Sequence, residues 1–161
     1  MLKRLLLATL LSLAAFLPPA MAAQQLTVED AWIREAPPGA PMLAGYLILH
    51  NHSDQERALV AAESPAFGMV ELHRTVLEDG MARMVAQKRI PVPAGGQAAL
   101  KPGDYHLMLM KPQQPLKAGD TADLTLHFDD GSSMTIQAVV RRATMDGMQH
   151  NHSHGDHTHQ H

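Results

Sequence analysis

The chain has 161 residues, a formal net charge of −3 and no cysteine. The lack of cysteine excludes structural disulfides, a redox C-x-x-C pair, a lipoprotein anchor cysteine and the His₂Cys site of a blue-copper electron carrier. Its 16 acidic residues against 13 basic ones, 11 once the leader takes Lys3 and Arg4 away, argue against nucleic acid or an anionic membrane surface as partner.

Lys3 and Arg4 precede an apolar run over 5–17, then Pro18, Pro19 and Ala20-Met21-Ala22. That is a charged n-region, an h-region and an A-x-A site, so residues 1–22 are expected to be a signal peptide cleaved after Ala22. The run is short of the about 20 residues a membrane helix needs. An exported protein of the periplasm without stable membrane insertion is therefore expected, as a monomer. Residues 23–143 then make up one domain's worth of chain.

Within that domain no helical period emerges. Short runs with β-branched residues lie at 26–34, 43–50, 58–64, 69–77, 82–89, 97–101, 106–111, 122–128 and 134–141, at the spacing of a sandwich or barrel. Nine strands and an all-β fold are predicted. Pro37-Pro38-Gly39 and Pro91-Val92-Pro93 are expected to interrupt the ladder. Glu78-Asp79-Gly80 and Asp129-Asp130-Gly131 supply the residues that tolerate a left-handed backbone, which tight hairpins need.

Residues 144–161 form a tail with His150, His152, His154, His157, His159 and His161, together with Met145 and Met148. Apart from the methionines nothing bulky and apolar is there to bury, so disorder without metal is expected. Alternating imidazoles suit Cu(II), and the tail is a candidate second copper site.

Strand alternation sorts the remaining histidines and methionines by face. In Tyr105-His106-Leu107-Met108-Leu109-Met110, the residues Tyr105, Leu107 and Leu109 read as core, while His106, Met108 and Met110 share the other face. Val70 and Leu72 read inward, with Glu71 and His73 outward. Met84, beyond a short turn, can return antiparallel beside His73. Two imidazoles and two thioethers form a soft donor set that selects copper, and Cu(I) above all. Any one methionine is usually core filler. The joint pattern is rarer: with five histidines and seven methionines in the domain, it arises by chance on the order of once in a thousand such domains. No paired carboxylates, G-x-S-x-G, H-E-x-x-H or phosphate-cradling loop occurs, so an enzyme is not expected.

The spacing His73-x₁₀-Met84-x₂₁-His106-x-Met108 resembles the copper signature of the PCuAC-type periplasmic copper chaperones. The likeness extends through Ala31-Trp32-Ile33-Arg34, Gly45-Tyr46-Leu47, Val70-Glu71-Leu72-His73, Ile90-Pro91, Leu100-Lys101-Pro102-Gly103, His106-Leu107-Met108-Leu109-Met110 and Pro115-Leu116-Lys117-Ala118-Gly119-Asp120. It implies a cupredoxin-like Greek-key β-barrel or sandwich binding one Cu(I) through His73, Met84, His106 and Met108. It also implies delivery to a copper-accepting protein: the binuclear copper site of cytochrome c oxidase subunit II, or another assembly chaperone. The alternative is a periplasmic copper buffer or resistance protein without a dedicated acceptor. Two positions depart from the family pattern. Arg74 follows the first ligand where relatives carry methionine or an acidic residue, and Asp104 replaces a second glycine. A cation at Arg74 is expected to weaken cation binding by a fraction of a kcal/mol.

Overall fold

A computed structural model describes residues 25–142; the expected signal peptide, residues 1–22, and the histidine-bearing segment 144–161 lie outside that range. Ten strands run in chain order: β1 (Leu26–Arg34), β2 (Met42–Asn51), β3 (Arg57–Glu63), β4 (Phe67–Glu78), β5 (Met81–Ala86), β6 (Ile90–Val92), β7 (Gln97–Leu100), β8 (Tyr105–Pro112), β9 (Thr121–Phe128) and β10 (Ser133–Arg141). The described residues contain no helix. The nine predicted strands are present. β5 ends at Ala86, short of the predicted 89, where the chain turns toward β6.

The hydrogen-bonded order is β5-β4-β8-β2-β1-β10-β9-β3-β6, with β7 joining β2 beyond the end of its β8 pairing. Every pairing is antiparallel except β1 with β10. The connections β2→β3 and β8→β9 leap across the order, which gives the Greek-key character. The sheet curls until β6, at its far end, touches β2 and β7. Between its walls lies a core of fully buried Ile33, Leu47, Leu59, Leu107, Leu124 and Val140.

The tenth strand corrects one expectation. Pro91 sits within β6, where Ile90, Pro91 and Val92 pair with Leu59, Ala58 and Arg57. A proline is tolerated there because β6 is an edge with a single neighbour and needs no second row of donors. Burial of Ile90 and Val92, both at 0% exposure, holds the segment down. Buried Asn51 adds an anchor: its amide donates to the Val92 carbonyl at 3.0 Å and the Gln55 carbonyl at 2.8 Å, while its side-chain oxygen accepts from Ser53.

The β4–β5 hairpin closes as its sequence requires. Glu78 pairs with Met81, leaving Asp79 (φ 52°) and Gly80 (φ 76°) as a two-residue turn with both residues left-handed, the geometry that matches strand twist. That tight turn fixes the register of β5 on β4, and through it the position of Met84.

Candidate metal centre

The site is built from register. β4 pairs with β8 so that His73 stands opposite His106, Glu71 opposite Met108 and Met69 opposite Met110. On the other side of β4, Thr75 faces Met84 and His73 faces Ala86. Residues two apart on a strand share a face, so His73, Met84, His106 and Met108 all lie on one face of the β5-β4-β8 ribbon. Leu72, Leu107 and Leu109, on the opposite face, are buried in the core. The structure thus brings the four sequence-derived candidates onto one surface, with the two imidazole rings 5.8 Å apart, centroid to centroid.

That surface is more enclosed than alternation alone suggests. His106 is 3% and Met108 7% exposed, and the His73 side chain 14%. A cleft of about 530 Å³ opens along it, lined by Met84, His106 and Met108 with Arg34, Tyr46 and Pro102. The outward face is therefore walled by the segment after β1 and by the turn before β8. Met84 differs, at 61% exposure, because it rides on the sheet-edge strand β5, all of whose residues are exposed. Tyr46 lies on the cleft wall against Trp32, ring centroids 4.6 Å apart. Burial pushes its phenol pKa up, with the Arg34 guanidinium pulling the other way.

Each imidazole is tied at one nitrogen and bare at the other. His106 Nδ1 donates to the Asp104 carbonyl at 3.0 Å. His73 Nε2 donates to the Glu71 carboxylate at 2.8 Å. Since a carbonyl and a carboxylate can only accept, these contacts set the tautomers of the neutral rings, leaving lone pairs on His106 Nε2 and His73 Nδ1. Both of those atoms are buried without a hydrogen-bond partner. An unpaired buried acceptor costs about 1–3 kcal/mol, whereas a ligating histidine typically holds its other N–H on a carboxylate or backbone carbonyl in just this way. The donors thus fit a soft metal ion. Among the described residues no group of three or more His, Cys, Asp or Glu gathers to hold a metal.

Comparison with known proteins decides the family. The model of the LpqE-like family, described as "Putative lipoprotein LpqE-like", matches residues 26–140. The chain belongs to the LpqE-like, PCuAC-type family. Within it, the chain is 34% identical to "Putative lipoprotein Lxx21020" of Leifsonia xyli subsp. xyli (strain CTCB07), over 76% of this chain and 74% of that protein. Among solved structures, it is 33% identical to CuI-DR1885 from Deinococcus radiodurans, with a TM-score of 0.60 over 76% of this chain and 81% of that one. The copper-bound PCuAC domain from PmoF2 shares the fold, with a TM-score of 0.64, 23% identity and coverage of 76% and 97%. The cupredoxin-like architecture is that of the family.

The two departures from the family pattern compensate each other. Arg74 Nε binds Asp104 Oδ1 at 3.0 Å, and its guanidinium lies 4.7 Å from the centroid of the Tyr105 ring. Arg74 pairs with Tyr105 across the strands and so points to the face opposite His73. Its charge is paired with Asp104 and directed away from the face of His73.

Two contributors escaped the sequence reading. Glu71 looked like an ordinary acidic strand residue, although its i−2 position relative to His73 was the available signal. Asp104 acts through its backbone carbonyl, which also accepts from the Thr75 amide at 3.1 Å, and no side-chain pattern reports that. The other domain histidines have local partners: His50 with Glu29 at 2.8 Å, His52 with Thr27 at 3.0 Å and His127 with Glu63 at 3.3 Å. The tail candidates Met145, Met148, His150, His152, His154, His157, His159 and His161 lie outside the described residues.

Proposed function

We propose that this protein is an exported copper chaperone of the periplasm. It carries Cu(I) on His73 Nδ1, His106 Nε2 and the sulfurs of Met84 and Met108. The observation that carries the reading is the pair of buried, partnerless imidazole nitrogens on one sheet face with two thioethers. Four neutral donors leave the ion its charge and fix no anion to it, so the ion is held without being trapped. The carboxylate of Glu71 and the carbonyl of Asp104 orient the rings. Met84, exposed on an edge strand, is the donor an incoming acceptor displaces first, and buried Met108 the one released last. Replacing thioether by cysteine thiolate runs downhill for Cu(I). The acceptor in this reading is cytochrome c oxidase subunit II, at its binuclear copper site, or another assembly chaperone. No helix among the described residues is long and apolar enough to cross a membrane. The histidine tail captures Cu(II) as a separate site.

X-ray absorption of the Cu(I)-loaded protein is the test, with Met84→Leu and Met108→Leu beside it. A mixed nitrogen and sulfur shell that loses sulfur in both variants supports the site, and a shell unchanged by either refutes it. Deleting residues 144–161 is expected to abolish Cu(II) binding and spare Cu(I) binding. Loss of both, or of neither, refutes the division between tail and core.

A further inference from the structure

The face that carries the four candidates continues past them along the sheet. Met110 stands opposite Met69 on β4 and opposite Met42 on β2. Three thioether residues are thus direct cross-strand neighbours in one row, on the face of Met108 and His106. Met42 is 48% and Met69 42% exposed, flanking a half-buried Met110. Directly paired residues on neighbouring strands have their Cβ atoms about 5 Å apart. The long unbranched side chains of Met42 and Met69 can therefore both lean over the central sulfur. The row lies two residues from Met108, about 7 Å along the strand. Glu71 stands opposite Met108, between Met69 and His73 along β4, with its carboxylate 43% exposed, an anion adjacent to a cation held on either side.

We infer that Met42, Met69 and Met110 form a second site for a soft monovalent ion, Cu(I) or Ag(I), bound by thioether sulfur alone. Three neutral soft donors with no imidazole and no carboxylate in the row exclude hard divalent ions and favour a d¹⁰ monovalent one. The β2–β8 pairing brings Met42 in from a strand that supplies none of the four donors of the first site, although Met42 also lines the cleft shared by Met84, His106 and Met108. The three sulfurs are a ligand set separate from those four donors, reached from the same cleft through Met42. Its position, one residue pair along the face from Met108, makes it a station at which an ion waits beside the deeper site. It lacks the buried imidazoles, so it is the weaker of the two.

The experiment uses the full chain with methyl-¹³C methionine, titrated with Ag(I) in chloride-free buffer and followed by the resolved methyl resonances. The first equivalent is expected to shift Met84 and Met108, which tests the proposed chaperone site. The second site is read separately. Further Ag(I) is expected to shift Met42, Met69 and Met110 together along one saturable curve, apart from any change at Met145 and Met148. Met110→Leu conserves volume and is expected to abolish the shifts at Met42 and Met69 without altering the first-equivalent response. Met42→Leu and Met69→Leu, at exposed positions that cannot endanger the core, are each expected to weaken the same curve. The inference is overturned if the three methyls stay unshifted at saturating Ag(I), if they titrate independently, or if their response survives Met110→Leu.

Discussion

Glu71 offers the sharpest test of how the proposed site is held. Its carboxylate accepts from His73 Nε2 at 2.8 Å, so it would act on a metal at Nδ1 across the width of the ring, roughly 6.5 Å away. Coulomb attraction at that distance amounts to about 0.6 kcal/mol in a water-like dielectric and about 2.6 kcal/mol at an effective dielectric of 20. Since 1.36 kcal/mol is a factor of ten, these limits correspond to about 3-fold and about 80-fold in affinity. The side chain is 43% exposed, which places the effect toward the screened end. Glu71→Gln, which keeps an acceptor but loses the charge, is expected to weaken Cu(I) binding about fivefold. Glu71→Ala also frees the ring and is expected to cost about tenfold or more, within the usual range for a residue that orients a ligating histidine. Anaerobic competition against a chromophoric Cu(I) chelator reads both. Equal losses in the two variants would assign the whole effect to charge. Affinities within twofold of the parent in both would refute the idea that His73 is poised through Glu71.

Other consequences can be checked independently. Asp104→Ala breaks the partly exposed Arg74 pair and is expected to cost under about 1 kcal/mol of stability. Because only the backbone carbonyl of Asp104 meets His106, Cu(I) affinity should stay within twofold; a tenfold loss by chelator competition would contradict this. Leu107→Ala removes a fully buried side chain between His106 and Met108 and is expected to destabilise by about 2–5 kcal/mol in denaturant unfolding. A loss well under 1 kcal/mol would mean that the core behind the site is not packed as described. Asp130 is held below the usual carboxylate range, first by the Ser132 hydroxyl and next by its amide. A depressed folded value contributes stability that is present above about pH 4 and lost as pH falls through it. Ser132→Ala should raise the Asp130 midpoint toward the ordinary value in a carboxyl-carbon NMR titration and shrink that acid-side loss. An unmoved midpoint would refute the assignment.

Much of the fold was legible in local pattern. Asp79-Gly80 demanded a two-residue turn, and the alternation through Leu107 and Leu109 separated core from ligand face, because turn conformation and side-chain direction depend on neighbouring residues alone. β6 was not legible. Pro91 reads locally as a break, and its acceptance rests on Leu59, Asn51 and the edge position, all supplied from elsewhere in the chain. Arg74 and Asp104 read singly as departures from a family pattern, and only their 3.0 Å contact makes them one compensated pair.

Residue chemistry and the period-2 pattern by themselves determined that soft sulfur and imidazole occupy one face of a β-sheet, because donor softness and strand alternation need no knowledge of partners. What only the tertiary structure decided was adjacency. β8 lies between β4 and β2, so His73 meets His106 and the Met42, Met69 and Met110 row forms at all. The enclosure of that face, the free nitrogens on its two rings and the pairing that turns Arg74 away follow from the same arrangement. Strand order is set by how the whole chain buries its apolar side chains at once, and no local run of residues carries that information.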